Sequence, residues 1–206
     1  MKVNKRALIN GTIVGIALVI FIGFAIKPKD NPQQMALSEG QVSIGGAFSM
    51  TDDNGVRRTP SDFAGQNMLI YFGYSFCPDV CPLDLQKISM ALTSLENEAI
   101  DISSIQPIFI TIDPERDTPA IMHEYLQNFH PAIIGLSGSL AELKEAAQAY
   151  RVYYSKGDMQ VDGSYLMDHS SIIYLMGPDG QFIRHFSPDQ TPLEIAKGLK
   201  NELSHD

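Results

Sequence analysis

Residues 67–95 read NMLIYFGYSFCPDVCPLDLQKISMALTSL. The first ten are apolar and aromatic, of strand type and length. Beyond the two cysteines, Leu83, Leu85, Ile88, Leu92 and Leu95 recur at the spacing of one helix face. A strand therefore runs straight into a long helix, and Cys77 and Cys81, the only cysteines of the 206-residue chain, stand at the corner. Pro82 suits the first helical position, which places both thiols at or just before a helix N-terminus. Free N–H groups and the positive end of the helix dipole stabilise a thiolate there, and thiolate is both the nucleophile and the metal-binding form.

Spacing alone leaves two fates open for the pair. Four residues apart on a helix, two Cα atoms lie about 6.2 Å from one another, within the range a disulfide accepts. The same geometry lets two sulfurs spread to roughly 3.8 Å, as two ligands at about 2.3 Å from one metal require. An inert structural disulfide is the common use of two cysteines in an exported domain. A loop this short gives little chain-entropy stabilisation, however, and the strand-to-helix corner is where such folds place their chemistry.

Working outward, GAFSMTDDNGVRRT (46–59) reads as a hairpin, with Asp53-Asn54-Gly55 at its turn. IQPIFITID is a buried strand, and TPAIMHEYLQNF a helix with Thr118 as N-cap and Pro119 at its first position. A short strand, AIIGLSG, precedes the helix SLAELKEAAQAYRV; two strands flank the turn at Gly177-Pro178-Asp179-Gly180, and TPLEIAKGLKNEL closes the chain as a capped helix. Alternation followed by a terminal hairpin and helix predicts an α/β fold, a thioredoxin-like mixed sheet flanked by helices, over residues 45–206.

Ahead of that domain, residues 7–26 are apolar apart from Asn10, Thr12 and glycines, long enough for a helix to cross about 30 Å of hydrocarbon. Gly23-Phe24-Ala25 loosely resembles a signal-peptide cleavage site. The length of the run and the lysines directly after it favour a single transmembrane anchor. Basic residues among positions 1–6 predict a cytoplasmic N-terminus and a C-terminal domain across the membrane, in the periplasm of a bacterial inner membrane. Residues 27–44 are polar, carry two prolines and read as a linker.

Five of the fifteen Lys and Arg precede residue 30 and none of the twenty-four Asp and Glu do, so the exported part carries a net charge of −14. Phosphate binding needs the opposite sign, which excludes nucleic acid as a natural ligand.

A thiol pair that binds metal needs a third donor. His205 lies at the C-terminus, His123 and His130 read as surface residues, and His185 sits in a terminal strand. His169, in LMDHSSIIYL, enters a strand of buried type. It faces the cysteine corner if that strand neighbours the one before Cys77. Two sulfurs and one imidazole suit copper or zinc. Asp168 is a candidate to orient the imidazole from outside the metal, and Asp79, between the cysteines, a candidate to tune the site or meet a partner.

YFGYSFCPDVCP, DPERDTP (113–119) and MDHSSIIYLMGPDGQF appear in the order and spacing of the SCO/SenC family, which this chain resembles from about Gly45 onward. Gln66, Ser75 and Met167 depart from the family's usual lysine, threonine and valine and remove no ligand. The resemblance implies a membrane-anchored metallochaperone, not an enzyme in the ordinary sense. It would hold one copper ion, Cu(I) or Cu(II), on Cys77, Cys81 and His169. It would help assemble the dinuclear copper centre of cytochrome c oxidase subunit II or a similar acceptor. The cycle needs reduced cysteines and hence a thiol reductant.

The other reading is a thiol–disulfide oxidoreductase that uses Cys77–Cys81 as a redox-active disulfide on the acceptor's cysteines. Its usual two-residue spacer and facing proline are missing here: three residues separate the cysteines, and Asp168-His169-Ser170 occupies the proline's place. A peroxidase is less consistent still, because Tyr74 stands where a threonine is expected.

Overall fold

The computed structural model of the protein describes residues 44–203. The anchor expected at 7–26, the segment before it, the linker up to residue 43 and His205 lie outside the described residues. Among the described residues no helix is long and apolar enough to cross a membrane.

The elements follow the order β1 (Met50–Asp52), β2 (Arg57–Arg58), β3 (Asn67–Gly73), α1 (Val80–Asn97), β4 (Ile105–Thr111), α2 (Pro119–Leu126), β5 (Ile134–Ser137), α3 (Leu140–Ala149), β6 (Tyr154–Lys156), β7 (Met167–His169), β8 (Ile173–Met176), β9 (Phe182–Phe186) and α4 (Pro192–Leu203). Seven strands form one mixed sheet in the order β2-β1-β5-β4-β3-β8-β9. β3, β4 and β5 run parallel, joined by helical crossovers, and β8 lies antiparallel to β3. Every residue of β3 is buried. Alternate residues of a strand point to opposite faces, so both faces of the sheet's centre are covered, as the continuous apolar run required. The mixed α/β architecture and its N-terminal hairpin match the expectation from sequence. At the hairpin Gly55 has φ +85°, and the Asp52 carboxylate accepts from the N–H groups of Asn54 and Val56.

Two features differ from that expectation. α1 begins at Val80 with Asp79 as N-cap, so Pro82 is its third residue and not its first. The first-turn N–H groups have no acceptor within the helix, so proline costs no hydrogen bond there. A second sheet, the ribbon β6–β7, pairs Tyr154 with His169, Ser155 with Asp168 and Lys156 with Met167. Strands of three residues are too short to carry a periodic signal.

α1 and α3 both end in Schellman geometry. Ile100 N–H donates to Leu95 O at 3.0 Å and Ala99 N–H to Glu96 O at 2.9 Å; Val152 N–H donates to Ala147 O at 2.8 Å and Arg151 N–H to Gln148 O at 3.3 Å. The left-handed position is taken by Ala99 and by Arg151, each at φ +57°, where glycine is usual.

Candidate metal centre

β3 delivers the chain to the corner. Its partner β8 begins at Ile173, directly opposite Tyr71. Three residues separate Ile173 from His169 at the end of β7. An antiparallel strand that starts beside the end of β3 therefore holds His169 over the cysteine turn, 88 positions from Cys81.

The two thiols are free and the imidazole is at bonding reach. Cys81 Sγ lies 3.2 Å from His169 Nε2. The donor atoms of Cys77, Cys81 and His169 all lie within 4.8 Å of one another. Ligands at about 2.3 Å (sulfur) and 2.0–2.1 Å (nitrogen) around one tetrahedral ion stand roughly 3.5–3.8 Å apart, so small movements accommodate a metal. Cys81 is fully buried, Cys77 retains 9% exposure and His169 is half-buried. The outermost sulfur is thus Cys77.

The two sulfurs hold protons unequally. Cys77 is drawn down to about 3, first by the hydrogen bond from Cys81, then by His169 and by the backbone N–H groups of Asp79 and Cys81. The Cys81 N–H stands 3.4 Å from Cys77 Sγ. These are first-turn donors without a partner inside the helix, aimed at the sulfur as the sequence predicted. Cys81 moves the other way: its bond to Cys77 and its burial keep it protonated. The pair therefore carries one shared proton and one negative charge.

His169 is fixed on three sides. Its Nδ1 faces the Ser170 carbonyl at 3.1 Å, leaving Nε2 for the metal side. The rings of Tyr71 and Tyr74 meet it edge-on, with centroids 6.1 and 6.2 Å away. Tyr74 Oη accepts the Met167 N–H at 3.1 Å, which ties β7 to the end of β3. Asp168 does not take the orienting role considered for it. It is exposed, because its neighbours in a strand face the other way, and the Ser170 carbonyl does that work. Asp79 contributes its N–H to Cys77, while its exposed carboxylate makes no capping bond. Met167 packs half-buried against the core.

The segment DPERDTP is the brace of the cysteine turn. Asp117 is fully buried and accepts from Ser75 N–H at 3.0 Å, from Ser75 Oγ and from Thr111 Oγ1 at 2.6 Å. The Arg116 guanidinium lies 4.8 Å from the Phe76 ring and 3.7 Å from Tyr165, and pairs with buried Asp113. Thr118 caps α2, accepting from the Ile121 N–H. Of the other histidines, His130 is buried, contrary to the surface reading. Its N–H donates to Ser89 Oγ, and its Nε2 faces Glu96 at 3.1 Å. His123 pairs with Asp53 at 3.1 Å and His185 stacks on Phe182. Neither belongs to the centre.

Sequence reasoning missed Tyr71, Ser171 and Asp84. Asp84 is buried inside α1, accepts from Ser171 Oγ and pairs with Lys87 Nζ at 2.9 Å. A carboxylate one position from the apolar Leu85 row was the only available signal.

The SCO1/SenC family matches residues 36–204 of this chain. A SCO2-like protein of Rickettsia conorii is 37% identical over 204 residues, 98% of each chain. A mitochondrial SCO2 homologue of Danio rerio is 42% identical over 164 residues, which are 79% of this chain and 58% of that protein. This chain therefore spans little more than half of that relative's length. Among solved structures, ScoI of Bradyrhizobium japonicum with copper bound is 46% identical, with a TM-score of 0.71 over 78% of this chain and 99% of its own. ScoI of Arabidopsis thaliana with copper bound is 39% identical, with a TM-score of 0.73 over 80% of this chain and all of its own.

Proposed function

This chain belongs to the SCO1/SenC family, and from that premise we propose that it is a copper carrier that loads the dinuclear copper centre of cytochrome c oxidase subunit II, or a similar acceptor. One copper ion is its cargo, held by Cys77 Sγ, Cys81 Sγ and His169 Nε2. The observation that carries the reading is the convergence of these three donors, 88 positions apart in sequence for Cys81 and His169, within 4.8 Å. Copper bound to two solved relatives supports the choice of metal over zinc.

The donor set suits transfer. Two thiolates and an imidazole hold either copper oxidation state and leave a coordination position for an acceptor's ligand. Cys77, the less buried sulfur, is the one an acceptor meets first. Loading displaces the proton that Cys81 shares with Cys77, so uptake releases a proton. The protein works where thiols oxidise, and a disulfide between Cys77 and Cys81 removes two of three donors. A thiol reductant must then restore them. The apolar run at 7–26 anchors the chain in the bacterial inner membrane with this domain in the periplasm, beside a membrane-bound acceptor.

One observation favours a second reading. A thiolate at Cys77 beside a protonated Cys81 is the arrangement of a thiol–disulfide oxidoreductase. Cys77 would attack an acceptor disulfide, and Cys81 would then displace the reduced acceptor and close the disulfide. Copper titration of the reduced full-length chain separates the two. The carrier reading expects one tightly bound copper per chain, a thiolate-to-Cu(II) charge-transfer band, and loss of tight binding in His169→Ala. Undiminished copper binding in that variant, with rapid disulfide turnover, favours the oxidoreductase.

A further inference from the structure

The strand that carries His169 is not part of the seven-stranded sheet: β7 pairs with β6 alone. Its place beside α1, which carries Cys81, therefore depends on side-chain ties. Among the described residues, two hydrogen bonds join residues 169–172 to α1. One is the Cys81–His169 contact, which a metal would replace; the other runs from Ser171 Oγ to Asp84 Oδ2. Asp84 lies three residues beyond Cys81, on the same face of α1. Only 2% of it is exposed, and a buried carboxylate is costly unless its oxygens find partners. Here both do: Oδ1 takes Lys87 Nζ at 2.9 Å, and Oδ2 takes the Ser171 hydroxyl. Lys87 is itself pinned, donating to the Pro188 carbonyl at 2.6 Å in the β9–α4 connection.

We propose that Asp84 is a positioning residue for the metal centre, which holds His169 in its bonding orientation through Ser171. The link is the Ser170–Ser171 peptide. Its carbonyl faces His169 Nδ1 at 3.1 Å and can only accept, so the ring proton sits on Nδ1 and the Nε2 lone pair is left for the metal. A peptide unit is planar, so fixing the residues at its two ends fixes the direction of that carbonyl. Tyr153 holds one end: Ser170 N–H donates to the Tyr153 carbonyl at 3.0 Å, and Tyr153 N–H donates to Ser170 Oγ at 3.2 Å. Asp84 holds the other end through the Ser171 side chain. Tyr153 leads into β6 and moves with the ribbon, whereas Asp84 belongs to the helix of Cys81 and ties the imidazole to that sulfur. Without Asp84 the carbonyl turns, the ring loses its fixed tautomer, and the spacing of sulfur and nitrogen is no longer set before the metal arrives.

This inference rests on the copper reading above, and one readout is taken without metal so that the two fail differently. Asp84→Leu, Ser171→Ala, the double variant and Asp84→Asn are made in the full-length chain. NMR of the His169 ring nitrogens is recorded on the reduced, metal-free protein at alkaline pH, and copper affinity is measured on the same samples. The parent is expected to show the Nδ1–H tautomer alone. Asp84→Leu and Ser171→Ala should each show both tautomers and bind copper about tenfold more weakly. The double variant should be no worse than the weaker single, because each change removes the same tie. Asp84→Asn should recover most of both readouts, since an amide bonds Ser171 as acceptor or donor whichever way it turns. The inference is overturned if the parent shows both tautomers, or if the single variants keep one, whatever their copper affinity or Tm. It is also overturned if the losses add in the double variant, or if Asp84→Asn fails as Asp84→Leu does. Should Asp84→Leu not fold, Ser171→Ala decides alone by its tautomers and affinity. If the parent takes up no copper, the copper reading fails, and the tautomers still decide the role of Asp84.

Discussion

Gly73→Ala tests how the fold holds Cys81. Gly73 closes β3, and a Cβ there would sit 2.8 Å from Phe109 Cε2, 3.0 Å from Cys81 Sγ and 3.0 Å from Tyr71 Cε1. Carbon and sulfur atoms settle at about 3.5–4.0 Å, so at least one neighbour must retreat by roughly 0.5–1 Å. The two rings are fully buried in the sheet's centre and cannot yield cheaply. Overpacking of this kind costs about 1–3 kcal/mol, or roughly 2–12 °C in Tm for a chain of this size. The sulfur is the third neighbour, and a donor displaced by about half an ångström no longer fits a site built to that tolerance. Copper affinity is expected to fall about tenfold or more. Gly135→Ala is the control. Its Cβ would meet Leu126 Cδ1 and Met122 Cε, both at 2.9 Å, under α2, where the methionine can yield. It should lower Tm and leave copper affinity unchanged. Thermal unfolding and copper titration of the two variants decide the matter. If Gly73→Ala binds copper like the parent, or Gly135→Ala loses it equally, Gly73 does not set the position of Cys81.

Three further outcomes are expected. Iodoacetamide should alkylate Cys77 of the reduced, metal-free protein at a nearly constant rate from pH 8 down to pH 5, because its pKa lies at about 3; an ordinary thiol slows about tenfold per unit below its pKa of roughly 8.5, and mass spectrometry of the alkylated peptide reads the difference. A rate that titrates near pH 8.5 removes the thiolate from the account. Asp117→Ala strips the acceptor from Ser75 and Thr111 and should cost at least about 3 kcal/mol in urea unfolding, together with weaker copper binding because the turn before Cys77 loses its brace. Ala99→Gly and Arg151→Gly each relieve a left-handed residue with a side chain and should raise stability by about 1 kcal/mol without touching the copper site, a gain visible as a higher urea midpoint.

Features that depend on near neighbours were legible in the order of residues. The buried run of β3, the helical repeat after Cys81, the Asp53-Asn54-Gly55 turn and the Thr118-Pro119 cap are each decided within a few residues by side-chain period and backbone preference, and all are present. Spacing also made Cys77 and Cys81 a pair, and position before a buried strand singled out His169 among five histidines. Features that depend on distant partners emerged with the folded sheet. The ribbon that carries His169 has strands of three residues and exists because β6 and β7 pair with each other. Ser170, not Asp168, orients the imidazole, since strand alternation turns the carboxylate outward. Asp84, Ser171 and Tyr71 meet across 87 and 100 positions. No local pattern announces contacts of that kind, because burial and hydrogen bonding are satisfied by whichever groups the chain brings together after it has folded.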